Sequence, residues 1–352
     1  MIASIVSGNA PLTIRVLEVQ TWAIVIGVIF FILFTYIDIN IIADKYRPLL
    51  LFSVLFILTL YFWGVGGGIE GAGSRAWLRF GDIGVQPAEV VKITFTIIIA
   101  KMMTNYKERK NLNTIMSLSK IMLVFIMLFS IIMYIARDVG TSLIYIFIMV
   151  AMLFVGGVKL RWFALAGVFA VILTPFFWYY MLPERYQMRI LVAFFPQLEP
   201  ERLGFLWQPD LSIEAISSGG FTGQGLGNGR ITQAGTIPAQ HTDFIFSVAG
   251  EELGFVGCLV VILLLVIIIV RCIYIGLESN NPLGLLVCVG IATKFIAQMF
   301  MNLGMALGIL PVIGVTLPFF SYGGSSIVTS FAAMGIVSGI KMRPNPVRYR
   351  AF

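Results

Sequence analysis

One short segment of this apolar chain collects residues that could do acid–base chemistry. The run PAQHTDFIFSVAGEELGF (238–255) holds the only histidine, His241, and three carboxylates, Asp243, Glu251 and Glu252. Asp243 precedes a long apolar stretch, so we expect it near water at a helix start, where it can accept a proton or favour the positive helix end. Glu251 would lie about 12 Å deeper along the helix, and Glu252 would point roughly the opposite way. These acids are therefore not expected to share one small site.

The other ionisable residues of this segment have plainer expected roles. Glu251 and Glu252 are expected to organise neighbouring helices rather than to react. His241 is expected on the wet rim with Asp243, and no spacing of metal ligands surrounds it.

A second charged group follows a proline. Pro87 is typical of a first helical turn, and Glu89 and Lys92 are spaced i, i+3, so they share one helix face. Charges at membrane depth are costly and usually face an interior or a water-filled cavity. The pair either has a role in the function of the protein or is a charge-neutralising pair that orients two helices. Lys294, within another apolar run, is expected to snorkel, pair with a carboxylate or belong to a pathway.

Three further segments interrupt the apolar pattern. Asp138 in RDVGTS is expected to cap the next helix. The glycine-rich run 217–229 does not fit G-x-G-x-x-G, so it predicts turns with positive φ, with phosphate contact as the alternative. Segment 301–326 is expected to be a re-entrant packing element. Its polar residues are Asn302, Ser321, Tyr322 and Ser325.

Composition decides the fold class. The chain has 352 residues, 59% of them hydrophobic and 12% charged, whereas soluble domains carry about a quarter charged residues. Long apolar runs such as 258–270 approach the length that crosses a bilayer as a helix. We therefore predict an all-α polytopic membrane protein. The net charge of +7 is attributed to topogenic lysine and arginine rather than to nucleic-acid binding.

The apolar runs predict nine transmembrane helices in a single domain, 1–352. A large extracytoplasmic loop is expected at 182–244, with a helix around SIEAI (212–216). Lysine and arginine lie in alternate loops and the C-terminal tail, which places the N-terminus outside and the C-terminus inside. The predicted spans are 18–40, 47–65, 87–104, 117–135, 140–157, 162–181, 245–276, 283–306 and 322–341.

Together and in this order, the motifs resemble the SEDS family, the group of RodA, FtsW and SpoVE. They are GSRAWL with QPAEVVK, DVGTS, SSGG with GQG, IPAQHTDFIFSVAGEELGFVG, and ILPVIGVTLPFFSYGGSS. The resemblance spans nearly the whole chain and is closer to RodA, the elongation type, than to FtsW. It implies a peptidoglycan glycosyltransferase that polymerises lipid II at the outer face of the bacterial cytoplasmic membrane, with a class B penicillin-binding transpeptidase as partner.

The resemblance also implies residue roles. Asp243 matches the essential aspartate of the family and is the expected general base. Substrate-binding or supporting roles are expected for Arg75, Trp77, Glu89, Lys92, Asp138, Arg189, His241, Glu251, Ser321 and Ser325.

The chain departs from the family pattern at several positions. Ala136 and Arg137 stand where Gln-Pro is usual, Leu211 and Ser212 replace a Gln-Ser pair, and Lys294 is unfamiliar. Family members usually have ten spans with both termini inside. From this pattern we expect the first span to be missing here, with MIASIVSGN resembling its tail.

The implied reaction needs one base. Pyrophosphate is a good leaving group, so no second carboxylic acid is required, in contrast to glycosidases. Asp243 would deprotonate the acceptor hydroxyl. The developing negative charge would need Arg75, Lys92, Arg137, Arg189 or a divalent cation, Mg or Mn.

Two other functions remain open from the sequence. A lipid II flippase would have polar residues running through the bilayer, and Lys294, Glu251 and Glu252 favour it slightly. A non-catalytic scaffold of the wall-synthesis complex is the other alternative, favoured by the missing helix and the altered Ala136-Arg137.

Overall fold

The computed structural model describes residues 10–66, 75–81 and 83–343. Three sequence-based predictions therefore lie outside the described residues. They concern the segment MIASIVSGN, the first two residues of GSRAWL, and the basic tail after Arg343.

The described residues form thirteen α-helices, which confirms the helical fold class. The helices are α1 (Ala10–Tyr36), α2 (Ile39–Asp44), α3 (Tyr46–Trp63), α4 (Pro87–Glu108), α5 (Ile115–Ile131), α6 (Val139–Gly156), α7 (Leu160–Phe176), α8 (Glu184–Phe194), α9 (Trp207–Ser218), α10 (Arg230–Gln233), α11 (Ile245–Glu278), α12 (Pro282–Ala306) and α13 (Gly324–Met342).

Eight of the described helices are long and apolar enough to cross a membrane, so the chain is a multi-pass membrane protein. They are α1, α3, α5, α6, α7, α11, α12 and α13. The ninth predicted span, 87–104, is also helical, but charged side chains such as Glu89, Lys92 and Lys101 make α4 more polar than the other eight. Fifteen of its residues are buried within the protein.

Local signals explain where the predicted spans begin and end. The first predicted span ran to residue 40, but α1 stops at Tyr36 because Asp38 caps α2, accepting a hydrogen bond from Asn40 N at 2.9 Å. Thr114 caps α5 by accepting from Ser117 N at 3.3 Å. The end of α5 widens into a π-turn, Ile132–Ala136, before the chain turns away.

The described chain groups into two compact units. The loop unit contains 157–261 and 300–317. The bundle unit contains 11–156, 262–299 and 318–343.

The bundle unit contains a small antiparallel sheet that the sequence did not predict. Its strands are β1 (Gly64–Val65), β2 (Trp77–Phe80) and β3 (Ile83–Val85), in the order β1-β2-β3. Two to four residues are too few to show the alternation by which strands are recognised in a sequence. The last strand ends one residue before the α4 N-cap, so the sheet fixes where Pro87 starts that helix.

Segment 182–244 of the loop unit is folded, as predicted. It forms α8, α9 and α10, and the predicted helix around 212–216 lies within α9. The glycine-rich run forms turns with positive φ, also as predicted. The glycines in this conformation are Gly220, Gly223, Gly225 and Gly227.

These turns pack directly on a break in α11. Gly254 has φ of +69°, which interrupts the helix two turns after its start. The carbonyls of Glu251 and Glu252 accept hydrogen bonds from the backbone N–H groups of Gln224 at 2.9 Å and Gly225 at 3.0 Å. The glycine-rich run thus takes the place of the next helical turn.

The residues after the break in α11 also donate hydrogen bonds to the glycine-rich run. Phe255 N donates to the carbonyl of Gly220 at 3.0 Å, and Val256 N donates to that of Phe221 at 3.2 Å. Four backbone hydrogen bonds therefore replace those that the break in α11 removes. A backbone group left unpaired away from water costs free energy comparable to a lost hydrogen bond, so the loop and the break depend on each other.

Substitution of Gly254 tests this packing. A Cβ at Gly254 would lie 2.3 Å from Gly223 N and 2.7 Å from Phe221 O, whereas one at Gly227, also at positive φ, meets open space. Gly227→Ala should cost about 1 kcal/mol of unfolding free energy through backbone strain. Gly254→Ala should cost about 1–3 kcal/mol more through overpacking, measured by unfolding the purified protein in detergent. Equal losses would contradict the close approach.

Candidate active site

The turn before α11 holds Asp243 in a defined backbone conformation. The helix begins at Ile245, so Asp243 lies at its start, as predicted. The carbonyl of Ala239, a residue with φ of +52°, accepts from Asp243 N at 3.0 Å. Phe244 and Ile245 are fully buried, while Asp243 is half-buried. The buried apolar neighbours thus hold the turn in place, while the carboxylate of Asp243 stays only half-buried.

Asn302 ties this turn to the interrupted segment that follows α12. Its buried side-chain amide donates to the carbonyl of Asp243 at 2.8 Å and to that of Val315 at 2.7 Å. Across from it, a Cβ on Gly314 would lie 3.5 Å from Asp243 Oδ2. The carboxylate therefore lies beside bare backbone at a position where φ is +67°.

A buried pair of serines connects α9 to the start of α11. The hydroxyls of Ser212 and Ser247 lie 2.5 Å apart, and Ser212 also donates to the carbonyl of Ala306 at 2.6 Å. Three helices of the loop unit are thereby joined by side-chain hydroxyls. Ser212, which follows the departure from the family pattern at Leu211, has a structural role here.

Glu251 binds the start of the short helix α10. Its carboxylate accepts from Ile231 N and Thr232 N, both at 2.8 Å, and from the Thr232 hydroxyl at 2.5 Å. These bonds satisfy free N–H groups at the start of α10. Glu251 therefore organises the short helix α10 rather than a long one.

Glu252 reaches the same short helix. It accepts from Gln233 Nε2 at 3.2 Å, and Gly229 lies against both Glu251 and Glu252. The prediction that Glu252 points roughly the opposite way is wrong. Successive helical residues are only about 100° apart, and α10 folds over both side chains.

His241 is half-buried in the turn that precedes Asp243. Burial lowers the pKa of its imidazole below the ordinary value, so the neutral form prevails at pH 7. No group of three His, Cys, Asp or Glu among the residues that the structure describes could hold a metal ion alone.

Arg189 lies on α8 beside a cavity of the loop unit. The cavity has a volume of about 300 Å³. Its wall is formed by Arg185, Arg189, Gly204, Phe205, Gln208 and Val312. Arg185 shares a helix face with Arg189 at i, i+4 and could have been found from that spacing, whereas the residues of the opposite wall have no such signal.

In the bundle unit, Glu89 is shared by two lysines. Lys92 Nζ bonds Glu89 Oε1 at 2.5 Å, and Lys294 Nζ lies 3.8 Å from Glu89 Oε2. All three side chains are buried. The shared helix face of Glu89 and Lys92 is confirmed, as is the pairing of Lys294 with a carboxylate. Lys294 Nζ, however, has no hydrogen-bond partner among the described side chains.

Asp138 has the predicted capping role and a second one. Its Oδ1 accepts from Thr141 N at 2.9 Å, which caps α6, and its Oδ2 accepts from Gln86 Nε2 at 2.8 Å. The backbone N–H of Gln86 donates to Ser325 Oγ at 3.3 Å. Gln86, which the sequence did not single out, thus links Asp138 to the start of α13.

The remaining predicted site residues also belong to the bundle unit. The exposed Arg75 donates its backbone N–H to the carbonyl of Ala136 at 2.9 Å. Trp77 lies on β2, and its ring packs against Gly84 of β3. Ser321 is buried just before α13.

Comparisons with known proteins agree on one family. A family model for FtsW, RodA and SpoVE, described as cell cycle protein, matches residues 2–345. The chain is 33% identical over 302 residues to a protein named probable peptidoglycan glycosyltransferase FtsW from Trichlorobacter lovleyi, covering 84% of this chain and 77% of the relative. It is 32% identical over 268 residues to the peptidoglycan glycosyltransferase MrdB of Escherichia coli K12, covering 76% and 71%.

A solved structure has the same fold. It is described as the structural coordination of polymerization and crosslinking by a peptidoglycan synthase complex. The match has a TM-score of 0.80 and 27% identity, covering 99% of this chain and 95% of that one.

The two lysines around Glu89 should respond differently to removal. Lys92→Met leaves a buried carboxylate without its hydrogen-bonded partner and should cost about 3–5 kcal/mol of unfolding free energy. Lys294→Met removes an ammonium without a hydrogen bond while Glu89 keeps Lys92, so stability should change by less than about 1 kcal/mol or rise. Unfolding of both variants in one detergent measures this. A loss in Lys294→Met as large as in Lys92→Met would contradict it.

Proposed function

The chain belongs to the family of FtsW, RodA and SpoVE, and we propose that it is a peptidoglycan glycosyltransferase that polymerises lipid II with Asp243 as general base. One observation carries the assignment of the base. Asp243 is a half-buried carboxylate whose own carbonyl is held by Asn302, in a family whose relatives are named for this activity.

The proposed reaction balances with one base. The oxygen of an acceptor sugar hydroxyl attacks the anomeric carbon of the donor, and its proton passes to Asp243. The bond between the anomeric carbon and the diphosphate oxygen breaks, and the lipid diphosphate leaves with the electron pair. No second carboxylic acid is needed, and Glu251 is already engaged by α10.

The surroundings of Asp243 support its role as a positioned base. Its backbone is held from both sides, by the carbonyl of Ala239 and by the amide of Asn302. Gly314 leaves bare backbone beside the carboxylate, where a Cβ would lie 3.5 Å from Asp243 Oδ2. A base held in place in this way avoids the entropic cost of orientation during the reaction.

Negative charge on the leaving diphosphate requires cations. Arg189 is the predicted cation in the same unit as Asp243, and burial lowers the pKa of its guanidinium without neutralising it at pH 7. Lys92 is the weaker candidate because Glu89 balances its charge. Arg75 and Arg137 stay predictions.

A divalent cation, Mg or Mn, also stays a prediction. Mg²⁺ is commonly held by one or two carboxylates together with substrate phosphates. The described residues supply no complete metal site of their own, so any bound cation would need oxygens from the substrate.

We further propose that the chain acts at the outer face of the bacterial cytoplasmic membrane in elongation, beside a class B penicillin-binding transpeptidase. The solved complex with similar fold, described as coordinating polymerization and crosslinking, supports such a partner. The alternation of basic loops supports an outer N-terminus and an inner C-terminus.

The flippase alternative has lost much of its support. Two of the three residues that favoured it, Glu251 and Glu252, bind the α10 segment. The third, Lys294, is paired with Glu89. These charges have local structural partners, so none requires a transport pathway to explain its burial.

Loss of the Asp243 carboxylate should abolish polymerisation. Purified Asp243→Asn, given labelled lipid II, should form glycan at least about 100-fold more slowly than the wild type, because removal of a general base costs that much. Glu214→Gln is the matched control, since it removes an exposed carboxylate of the same unit, and its rate should stay within about twofold. A transport assay on the same preparation should show no lipid II movement. Polymerisation by Asp243→Asn at the wild-type rate would contradict the assignment of Asp243 as general base.

Metal dependence can be tested on the same assay. After treatment with EDTA, the rate should fall at least about tenfold and return on addition of Mg²⁺ or Mn²⁺ but not of Na⁺ at equal ionic strength. Thermal unfolding should not change with EDTA, because the described residues form no metal site by themselves. Full activity in EDTA would exclude the cation.

A further inference from the structure

Three buried side chains of the bundle unit carry polar atoms without a hydrogen-bond partner among the residues that the structure describes. They are Glu89 on α4 and Lys294 and Gln298 on α12. The atoms are Glu89 Oε2, Lys294 Nζ, and both the nitrogen and the oxygen of the Gln298 amide. Most buried polar atoms in proteins have a partner, so four such atoms on two helices are an unusual feature of this chain.

Packing between α4 and α12 shows that these side chains lie together. Thr96 of α4 lies against Gly290 of α12, where a Cβ would meet Thr96 Cγ2 at 2.4 Å. Further along the pair of helices, Lys294 Nζ lies 3.8 Å from Glu89 Oε2. Between these two contacts the numbering falls along α4 and rises along α12, so the helices are antiparallel.

The same register brings the Gln298 amide to the level of Glu89. Gln298 lies eight residues after Gly290, and Glu89 lies seven residues before Thr96. Both residues are therefore about two turns from the contact between the helices. Gln298 also shares a helix face with Lys294 at i, i+4. The four unpartnered atoms thus belong to one buried region between α4 and α12.

Direct contacts within the region do not satisfy these atoms. Glu89 Oε1 bonds Lys92 Nζ at 2.5 Å, which leaves Oε2 as the free oxygen of the carboxylate. At 3.8 Å, Lys294 Nζ is too far from Oε2 for a direct hydrogen bond. The Phe295 ring, 5.2 Å from Nζ to its centroid, offers an aromatic face but no hydrogen-bond acceptor. A polar contact of 3.8 Å is one that water can bridge.

The charges around this region balance one another. Lys92 and Lys294 supply two positive charges, and Glu89 supplies one negative charge. The second negative charge is that of Asp138, which interacts electrostatically with Lys92 and with Glu89. These described groups therefore need no bound ion for neutrality.

The four atoms also decide which ligand suits them. Lys294 Nζ and one end of the Gln298 amide are donors, whereas Glu89 Oε2 and the other end of that amide are acceptors. An anion cannot donate to the two oxygens, and a metal cation is repelled by the ammonium of Lys294. Water both donates and accepts, and a buried water makes about three hydrogen bonds.

We propose that Glu89, Lys294 and Gln298 form an internal hydration site of the bundle unit, in which ordered water bridges α4 and α12. The water solvates the ammonium of Lys294, which would be costly to bury without hydrogen bonds. It also donates to Glu89 Oε2, which Lys92 does not reach. The site goes beyond the proposed reaction and does not depend on it, because Asp243 belongs to the loop unit.

A crystal structure of the full chain, at a resolution that shows ordered water, tests the ligand directly. Density should lie at hydrogen-bond distance, about 2.7–3.2 Å, from Lys294 Nζ, from the Gln298 amide and from Glu89 Oε2. Crystals soaked in bromide should give no anomalous signal at this position. A bromide peak beside Lys294 Nζ would overturn the proposal in favour of an anion, and direct contacts among the three side chains without water density would overturn it as well.

X-ray footprinting of the full chain in lipid nanodiscs tests for the same water in solution. Radiolysis of a bound water oxidises the side chains beside it. The buried Phe295 ring should therefore be oxidised more than Phe244, an equally buried ring of the loop unit. Lys294→Leu and Gln298→Leu should each lower the oxidation of Phe295 to the level of Phe244. Thr104→Val, the matched control, removes a buried hydroxyl that is bonded within α4 and should leave it unchanged.

The outcomes separate this proposal from the proposed function. Equal oxidation of Phe295 and Phe244 in the wild type would overturn the hydration site, as would unchanged oxidation of Phe295 in both leucine variants. Thermal unfolding checks the fold of each variant, and Gln298→Met replaces Gln298→Leu if the latter does not fold. Asp243→Asn should keep the wild-type oxidation of Phe295, so polymerisation by that variant would remove the proposed base and leave the hydration site standing.

Discussion

The loop unit depends on one buried side-chain amide. Asn302 donates one hydrogen bond to the carbonyl of Asp243 and another to that of Val315, and so joins the start of α11 to the interrupted segment after α12. Both carbonyls belong to irregular backbone, which cannot satisfy its own polar groups in an apolar protein. The amide therefore makes two irregular segments possible at once. It is also what holds a titratable carboxylate beside the bare backbone of Gly314.

The same constraint explains why so many charged residues of this chain serve the backbone. The carboxylate of Glu251 covers the N–H groups that begin α10, and Asp138 does the same for α6. Glu199 holds the two N–H groups before α9. Each anion replaces water as the acceptor for free helical N–H groups or turn N–H groups, and each gains from the positive helix end where one is present. Acids placed like this are structural, even though their residue type suggests chemistry.

Sequence reasoning predicted features whose cause is local and missed those whose cause is a distant contact. The apolar runs located all nine long helices, and the spacing of Glu89 and Lys92 located their shared face, because both follow from helix geometry. The partner of the α11 glutamates was not foreseen, since only the folded path of residues 217–233 brings α10 onto them. Asn302 was recognised as polar, but nothing local reveals that its partners are the carbonyls of Asp243 and Val315. The short sheet had no periodicity to detect.

Charge balance then separates structural from functional polar residues in this protein. Lys92 and Glu89 neutralise each other inside the bundle unit. In the loop unit, Glu199 and Glu251 accept from backbone N–H groups, and Asp210 and Glu214 pair with arginines. A buried charge that is balanced has its cause within the fold. Arg189 has a ring beneath it but no described carboxylate beside it, and it faces a cavity with a second arginine. Arg189 therefore differs from Arg202 and Arg230, whose charges are balanced by acids of the same unit, and its charge is available to the diphosphate of the proposed reaction.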